Sequence, residues 1–170
     1  MKILGALLIV IAGGAMGAYR SEKLKKRAEL LRSMTGALVI MRQEICTYLT
    51  PMRELAEKLA ERSDDGTGVF FSKLSEGLNG LGDRQLGEIW TEAVSNTAEL
   101  CLTAEETAEL CRLGWELGRF AAEQQEQAIT ACIGRMESFA FEAEKVCAEK
   151  GRLCMGLGFI SGAMLAVVLI

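Results

Sequence analysis

The residues able to do chemistry in this chain are few, and one absence bounds the rest: there is no histidine among its 170 residues. Without imidazole, neither a Ser–His nor a Cys–His nucleophile can be assembled, and an H-E-x-x-H zinc motif cannot occur. Six cysteines remain: Cys46, Cys101, Cys111, Cys132, Cys147 and Cys154. None forms a C-x-x-C pair, so a zinc site or a redox dithiol is not indicated. Most fall on the apolar faces of predicted helices, where a reduced thiol behaves as a small hydrophobe. They are expected to be inert thiols in a reducing compartment, with disulfides as the alternative. The carboxylate clusters Glu105/Glu106/Glu109 and Glu142/Glu144/Glu149 carry the other reactive groups. Their spacing places them on solvated helix faces more simply than around a metal or an acid–base pair. No G-x-x-x-x-G-K-[ST] phosphate loop exists. These residues point to a protein that is not an enzyme, with no cofactor, no metal and no small-molecule substrate.

The net charge of −4 argues against nucleic acid as the main partner. Its distribution is uneven. Ten Lys/Arg face six Asp/Glu between Arg20 and Arg62, whereas most acids lie beyond Glu88.

Two segments stand apart from this charged interior. Ile3 to Ala18 carries no charge, and Leu153 to Ile170 contains only Ser161 as a polar residue. With Lys2 and Tyr19 the first spans roughly 27 Å as a helix, enough for a thin bilayer. A cleaved secretory signal is the competing reading of that first segment. The second has no polar face, which a core helix of a soluble domain would show. Each is therefore expected to be a transmembrane helix, giving three parts: 1–19, a helical domain over 20–152, and 153–170. Basic residues flank both on the domain side: Arg20, Lys23, Lys25, Lys26 and Arg27 after the first, Lys145, Lys150 and Arg152 before the second. Positive charge near membrane ends is retained in the cytoplasm, so the domain is expected there. Gly13 with Gly17, and Gly158 with Gly162, give each segment a G-x-x-x-G, a spacing that lets helix backbones approach closely in lipid.

The interior reads as helix throughout. Leu24, Leu31, Leu38 and Ile45 recur every seven residues, with Met34, Met41 and Tyr48 three after the last three, an a/d seam. Thr50-Pro51 ends that helix, and Thr50 is expected to cap a second one running to about Arg62. Residues 63–68 read as a loop, followed by a short helix over 69–78. Asp83 is expected to cap a fourth helix reaching about Leu100. Thr103-Ala104-Glu105-Glu106 is a capping box opening a fifth, which carries Leu110, Leu113, Trp115 and Leu117. A sixth starts near Glu123 with a second seam: Ile129, Met136 and Ala143, with Cys132, Phe139 and Val146 between. The expected fold is all-α: a six-helix bundle flanked by an N-terminal and a C-terminal transmembrane helix, its first and last helices antiparallel along their seams.

Read end to end, the chain resembles the stage III sporulation protein AB family of endospore-forming bacteria. The likeness rests on the opening Lys2-Ile3-Leu4-Gly5-Ala6, on Glu44-Ile45 followed by Thr50-Pro51-Met52 and the Leu55–Leu59 helix, and on Leu113-Gly114-x-x-Leu117-Gly118 with Gln125 and Ile129. It extends to the ending Leu157-Gly158-Phe159-Ile160-x-Gly162. Ala121 departs from it, standing where an aspartate is expected. The resemblance implies a soluble domain similar to the cytoplasmic domain of type II secretion inner-membrane platform proteins, itself a six-helix bundle. It implies a structural component of a secretion-like channel between mother cell and forespore, located in the mother-cell membrane. Its partners would be the other stage III sporulation complex proteins, including the secretion-type ATPase, stage III sporulation protein AA. The surface meeting that ATPase is expected at the end of the bundle farthest from the membrane, with Arg53, Leu117, Gly118, Arg119 and Gln125 as candidates. The reading from a different class is a membrane-anchored helical adaptor or signalling protein unrelated to sporulation.

Overall fold

The structure is a computed structural model. It describes the backbone of residues 2–63, 65–80, 84–117 and 122–169; the side chains of 2–14, 16–18, 20, 122–123 and 150–169 lie outside the described residues. Six α-helices follow one another: α1 (Lys2–Cys46), α2 (Met52–Arg62), α3 (Gly66–Asn79), α4 (Leu86–Ser95), α5 (Ala104–Leu117) and α6 (Ala122–Leu169), with a 3-10 turn at Ala98–Leu100. No strand occurs among the described residues. The chain divides into two compact units, Glu29–Ala140 and the pair of segments Met1–Ala28 and Phe141–Ile170.

Within Glu29–Ala140 the two seams meet. Leu31, Met34, Leu38 and Met41 of α1 are fully buried, as are Ile129 and Met136 of α6, with Cys132 beside them. Arg42 Nη1 donates to Thr130 Oγ1 at 3.3 Å, and the Cys46 thiol feels the Glu126 carboxylate. Rising numbers on one helix thus face falling numbers on the other, the antiparallel pairing expected of them. Tyr48, expected in the seam, is solvent-exposed. The helix ends two residues earlier, at Cys46, so the heptad loses its last position.

The middle helices form around three aromatic rings. Phe70 and Phe71 of α3 meet Trp90 of α4 edge to face, with ring centroids 5.1 and 6.5 Å from the indole. All three are buried, an apolar load that anchors the short helices. Helices α4 and α5 pack reciprocally: Gly114 lies against Trp90 and Gly87 against Trp115. A glycine opposite each indole lets the two backbones close on one another.

Several helix boundaries differ from the sequence expectation. Thr50 does not cap α2; Pro51 occupies that place without a side-chain bond, and the Thr50 hydroxyl turns back to Glu44. Helix α3 begins at Gly66, three residues early, because Asp65 caps it and accepts from the Thr67 amide at 2.9 Å. Helix α4 stops at Ser95 rather than near Leu100; Thr97 Oγ1 bonds the Ala93 carbonyl and the chain re-forms as the 3-10 turn. Asp83, expected to open α4, lies outside the described residues. The capping box is present as expected: the Thr103 amide donates to Glu106 Oε2 at 2.7 Å, and the Glu106 amide to Thr103 Oγ1 at 3.4 Å.

In the other unit, Lys26 and Glu22 pair at 3.0 Å one helical turn apart, Ala143 is buried and Phe141 is exposed. Among the described residues no helix is long and apolar enough to cross a membrane. Apart from Ala15, the side chains of both charge-free segments lie outside the described residues, and with them the packing expected of Gly13, Gly17, Gly158 and Gly162.

Candidate interaction surface

Two carboxylates expected on a solvated helix face, Glu106 and Glu109, are instead buried and engaged within the fold. Glu106 is buried in its capping box. Glu109, 8% exposed, is held by two guanidinium groups, Arg112 at 2.9 Å on its own helix and Arg135 at 2.5 Å on α6. A nearly buried carboxylate is tolerated because both cations satisfy it, and the triad ties α5 to α6. No cluster of three or more His, Cys, Asp or Glu side chains able to hold a metal ion occurs among the described residues.

The described cysteines are free thiols. Burial, aided by the Glu109 carboxylate, pushes the Cys132 thiol up to about 12. Burial also raises Cys46, with Glu126 adding to it and Arg42 opposing, and raises Cys111 against a bond from Thr91. A raised thiol holds its proton and is a poor nucleophile. Cys101 departs from the apolar-face expectation. It sits exposed in a left-handed turn after the 3-10 segment.

A surface remains as the candidate, at the end of the bundle where α1 stops and α6 starts. The Cys46–Glu126 proximity places those two termini at one end of the Glu29–Ala140 unit. Two linkages build the junctions there. At the α1–α2 turn, the Thr50 amide donates to the Glu44 carbonyl at 3.0 Å, and the Thr50 hydroxyl to Glu44 Oε2 at 2.6 Å. Lys58 of α2 approaches the same carboxylate at 3.9 Å. At the α5–α6 junction, Gln125 Nε2 donates to the Leu117 carbonyl at 2.9 Å, satisfying an acceptor left over at the end of α5.

The expected site residues divide accordingly. Arg53 is exposed and pairs with Glu57 at 3.4 Å. Leu117 points into the core, and Gln125 is half-buried in its junction role. Gly118 and Arg119 lie outside the described residues, as do the side chains of Arg20 and Arg152. Lys23, Lys25 and Lys26 are exposed on α1, and Arg27 is half-buried. Sequence reasoning assigned no role to Glu44, whose only signal was its place ahead of Thr50-Pro51. The Arg135–Glu109 pair gave no signal, because its partners are 26 positions apart.

Comparison with known proteins bears on the chain as a whole. The family model for stage III sporulation protein AB matches residues 2–170. The stage III sporulation protein AB of Bacillus subtilis (strain 168) is 25% identical over 170 residues, covering 99% of both chains. A solved structure of stage III sporulation protein AB (SpoIIIAB) superposes with a TM-score of 0.68 at 22% identity, over 72% of this chain and 97% of that one, a likeness of fold. With the family match running almost from end to end, the chain belongs to the stage III sporulation protein AB family.

Proposed function

We propose that this sporulation-family protein is a non-enzymatic membrane platform, held in the mother-cell membrane by the charge-free segments 3–18 and 153–170. Its helical domain faces the cytoplasm and docks a secretion-type ATPase within a channel-forming complex. The observation that carries this reading is the family match over residues 2–170, which takes in both charge-free segments together with the bundle. The absence of any histidine and the internal pairing of Glu106 and Glu109 are consistent with a structural role.

Deletion of the gene should block sporulation after engulfment while leaving vegetative growth normal, and the protein should stay with membranes through alkaline carbonate extraction. A strain that sporulates normally without it would remove the platform reading. Charge reversal at Arg53 and Arg119 should weaken retention of the ATPase in a pull-down; unchanged retention would move the docking surface elsewhere.

A further inference from the structure

Helix α1 runs unbroken from Lys2 to Cys46, so the residues that follow the first charge-free segment stand at a fixed depth from it. Between Tyr19 and Ala28 the helix carries five cations, Arg20, Lys23, Lys25, Lys26 and Arg27, against the single acid Glu22. Lys23, Lys25 and Lys26 are exposed. At 3.6 residues per turn they spread over an arc of about 160°. At about 1.5 Å per residue, Lys23 lies roughly 7.5 Å and Lys26 roughly 12 Å beyond Ala18. The headgroup layer on each side of a bilayer is about 5–8 Å thick, and the Debye length in physiological salt is about 8 Å. All three ammonium groups therefore fall in or beside that layer, on stems that can reach back into it. Tyr19, 70% exposed, stands at the layer's inner edge, the depth an amphipathic ring prefers.

The corresponding stretch of α6 is different. From Phe141 to Arg152 it carries three cations, Lys145, Lys150 and Arg152, and three acids, Glu142, Glu144 and Glu149. Acids count little toward the side of a membrane on which a segment stays, so both stretches favour the cytoplasmic side by that rule. An anionic surface responds to net charge instead, and of the two stretches only the one on α1 has an excess. Lys26 pairs with Glu22 at 3.0 Å, but both side chains are well exposed, and a pair in water yields readily to a phosphate. Lysine ammonium groups are flexible point charges, suited to a field of headgroups more than to one phosphate held in a set geometry.

We propose that Lys23, Lys25 and Lys26 form a contact for anionic phospholipid headgroups, so that α1 gathers lipids of the phosphatidylglycerol kind around it and α6 does not. The contact rests on the membrane anchorage proposed above.

The test uses the full chain, reconstituted in phosphatidylcholine vesicles holding about 30% phosphatidylglycerol, with a trace of either lipid spin-labelled. At 50 mM NaCl the lipid immobilised by the protein should favour the phosphatidylglycerol label at least twofold, and 500 mM NaCl should abolish most of that preference by screening. Lys23→Gln, Lys25→Gln and Lys26→Gln together should bring the ratio close to one with an unchanged helical circular-dichroism spectrum. Lys145→Gln, Lys150→Gln and Arg152→Gln together should leave it at the wild-type value. A wild-type preference below twofold, a preference indifferent to salt, or one that survives the α1 triple variant would overturn the inference while leaving the anchorage intact. The salt series needs no substitution, so it decides the matter even if the triple variant misfolds. Loss of preference in the α6 variant would overturn the assignment to α1. Inorganic phosphate at constant ionic strength should not compete; if it abolished the preference, free phosphate would be the ligand and the lipid contact would fall. A wild-type chain released from the vesicles by alkaline carbonate would remove the anchorage itself, and the contact with it.

Discussion

Cys132 shows how burial converts a reactive side chain into a structural one. It is 1% exposed between α5 and α6, and desolvation reinforced by Glu109 pushes its thiol up to about 12. An unfolded thiol titrates near 8.5. Between about pH 9 and pH 12 the folded chain therefore keeps a proton that the unfolded chain has released. By linkage, stability falls as pH rises through this window, with a slope approaching about 1.4 kcal/mol per pH unit from this group. Urea unfolding at pH 8, 9, 10 and 11 should show the decline, and Cys132→Ala should flatten part of it. A variant as pH-sensitive as the wild type would mean that other groups govern the alkaline limb. Exposed Cys101 should alkylate with maleimide at neutral pH in the native protein, whereas Cys132 should react only after denaturation.

At the scale of elements, the α4–α5 pair tests whether glycine is placed for space. A Cβ on Gly114 would lie 2.5 Å from Trp90 Cδ1 and 2.7 Å from its Cβ, and that ring is fully buried against Phe70 and Phe71. Gly114→Ala gains up to about 1 kcal/mol of helix propensity but forces an indole that has nowhere to go, an overpacking cost of about 1–3 kcal/mol or more. Net destabilisation is expected. Gly36 of α1 and Gly134 of α6 have nothing within 4 Å of an added Cβ, so alanine there should stabilise by about 0.5–1 kcal/mol. Opposite signs in urea midpoints would establish the distinction; equal effects would show that the α4–α5 contact yields. The periodic part of this architecture was legible in the sequence. Leu31, Leu38, Ile129 and Met136 announce their faces because a helix repeats its environment every three to four residues. The capping box was legible because both its partners lie within one turn. Competition between neighbouring caps was not. Ser63, Asp64 and Asp65 all qualify by residue type, and only the fold selects Asp65, where Gly66 meets the Glu99 backbone. The reciprocal Gly–Trp packing and the Glu44–Thr50 clamp were not legible either, since each is set by how the chain returns on itself.

At the scale of the whole molecule, the division of the chain makes a claim about folding. The Glu29–Ala140 unit contains Phe70, Phe71, Trp90, the capping box, the Glu109 triad and the Arg42–Thr130 link between α1 and α6. Its buried apolar residues come from all six helices. A fragment of residues 29–140 should therefore express in soluble form, show a helical circular-dichroism spectrum and unfold in one cooperative step. A stability of about 5–10 kcal/mol is the range for a domain of this size. The same fragment should lose the membrane association proposed for the full chain. Two outcomes separate two errors. A fragment that is helical but melts without a cooperative transition would mean that segments 1–28 and 141–170 complete the core. A fragment that folds yet still sediments with membranes would place the membrane contact within the bundle instead of in the charge-free segments. Cooperative unfolding in a soluble fragment, with the full chain resisting carbonate extraction, assigns folding to the 29–140 unit and anchorage to the flanking segments.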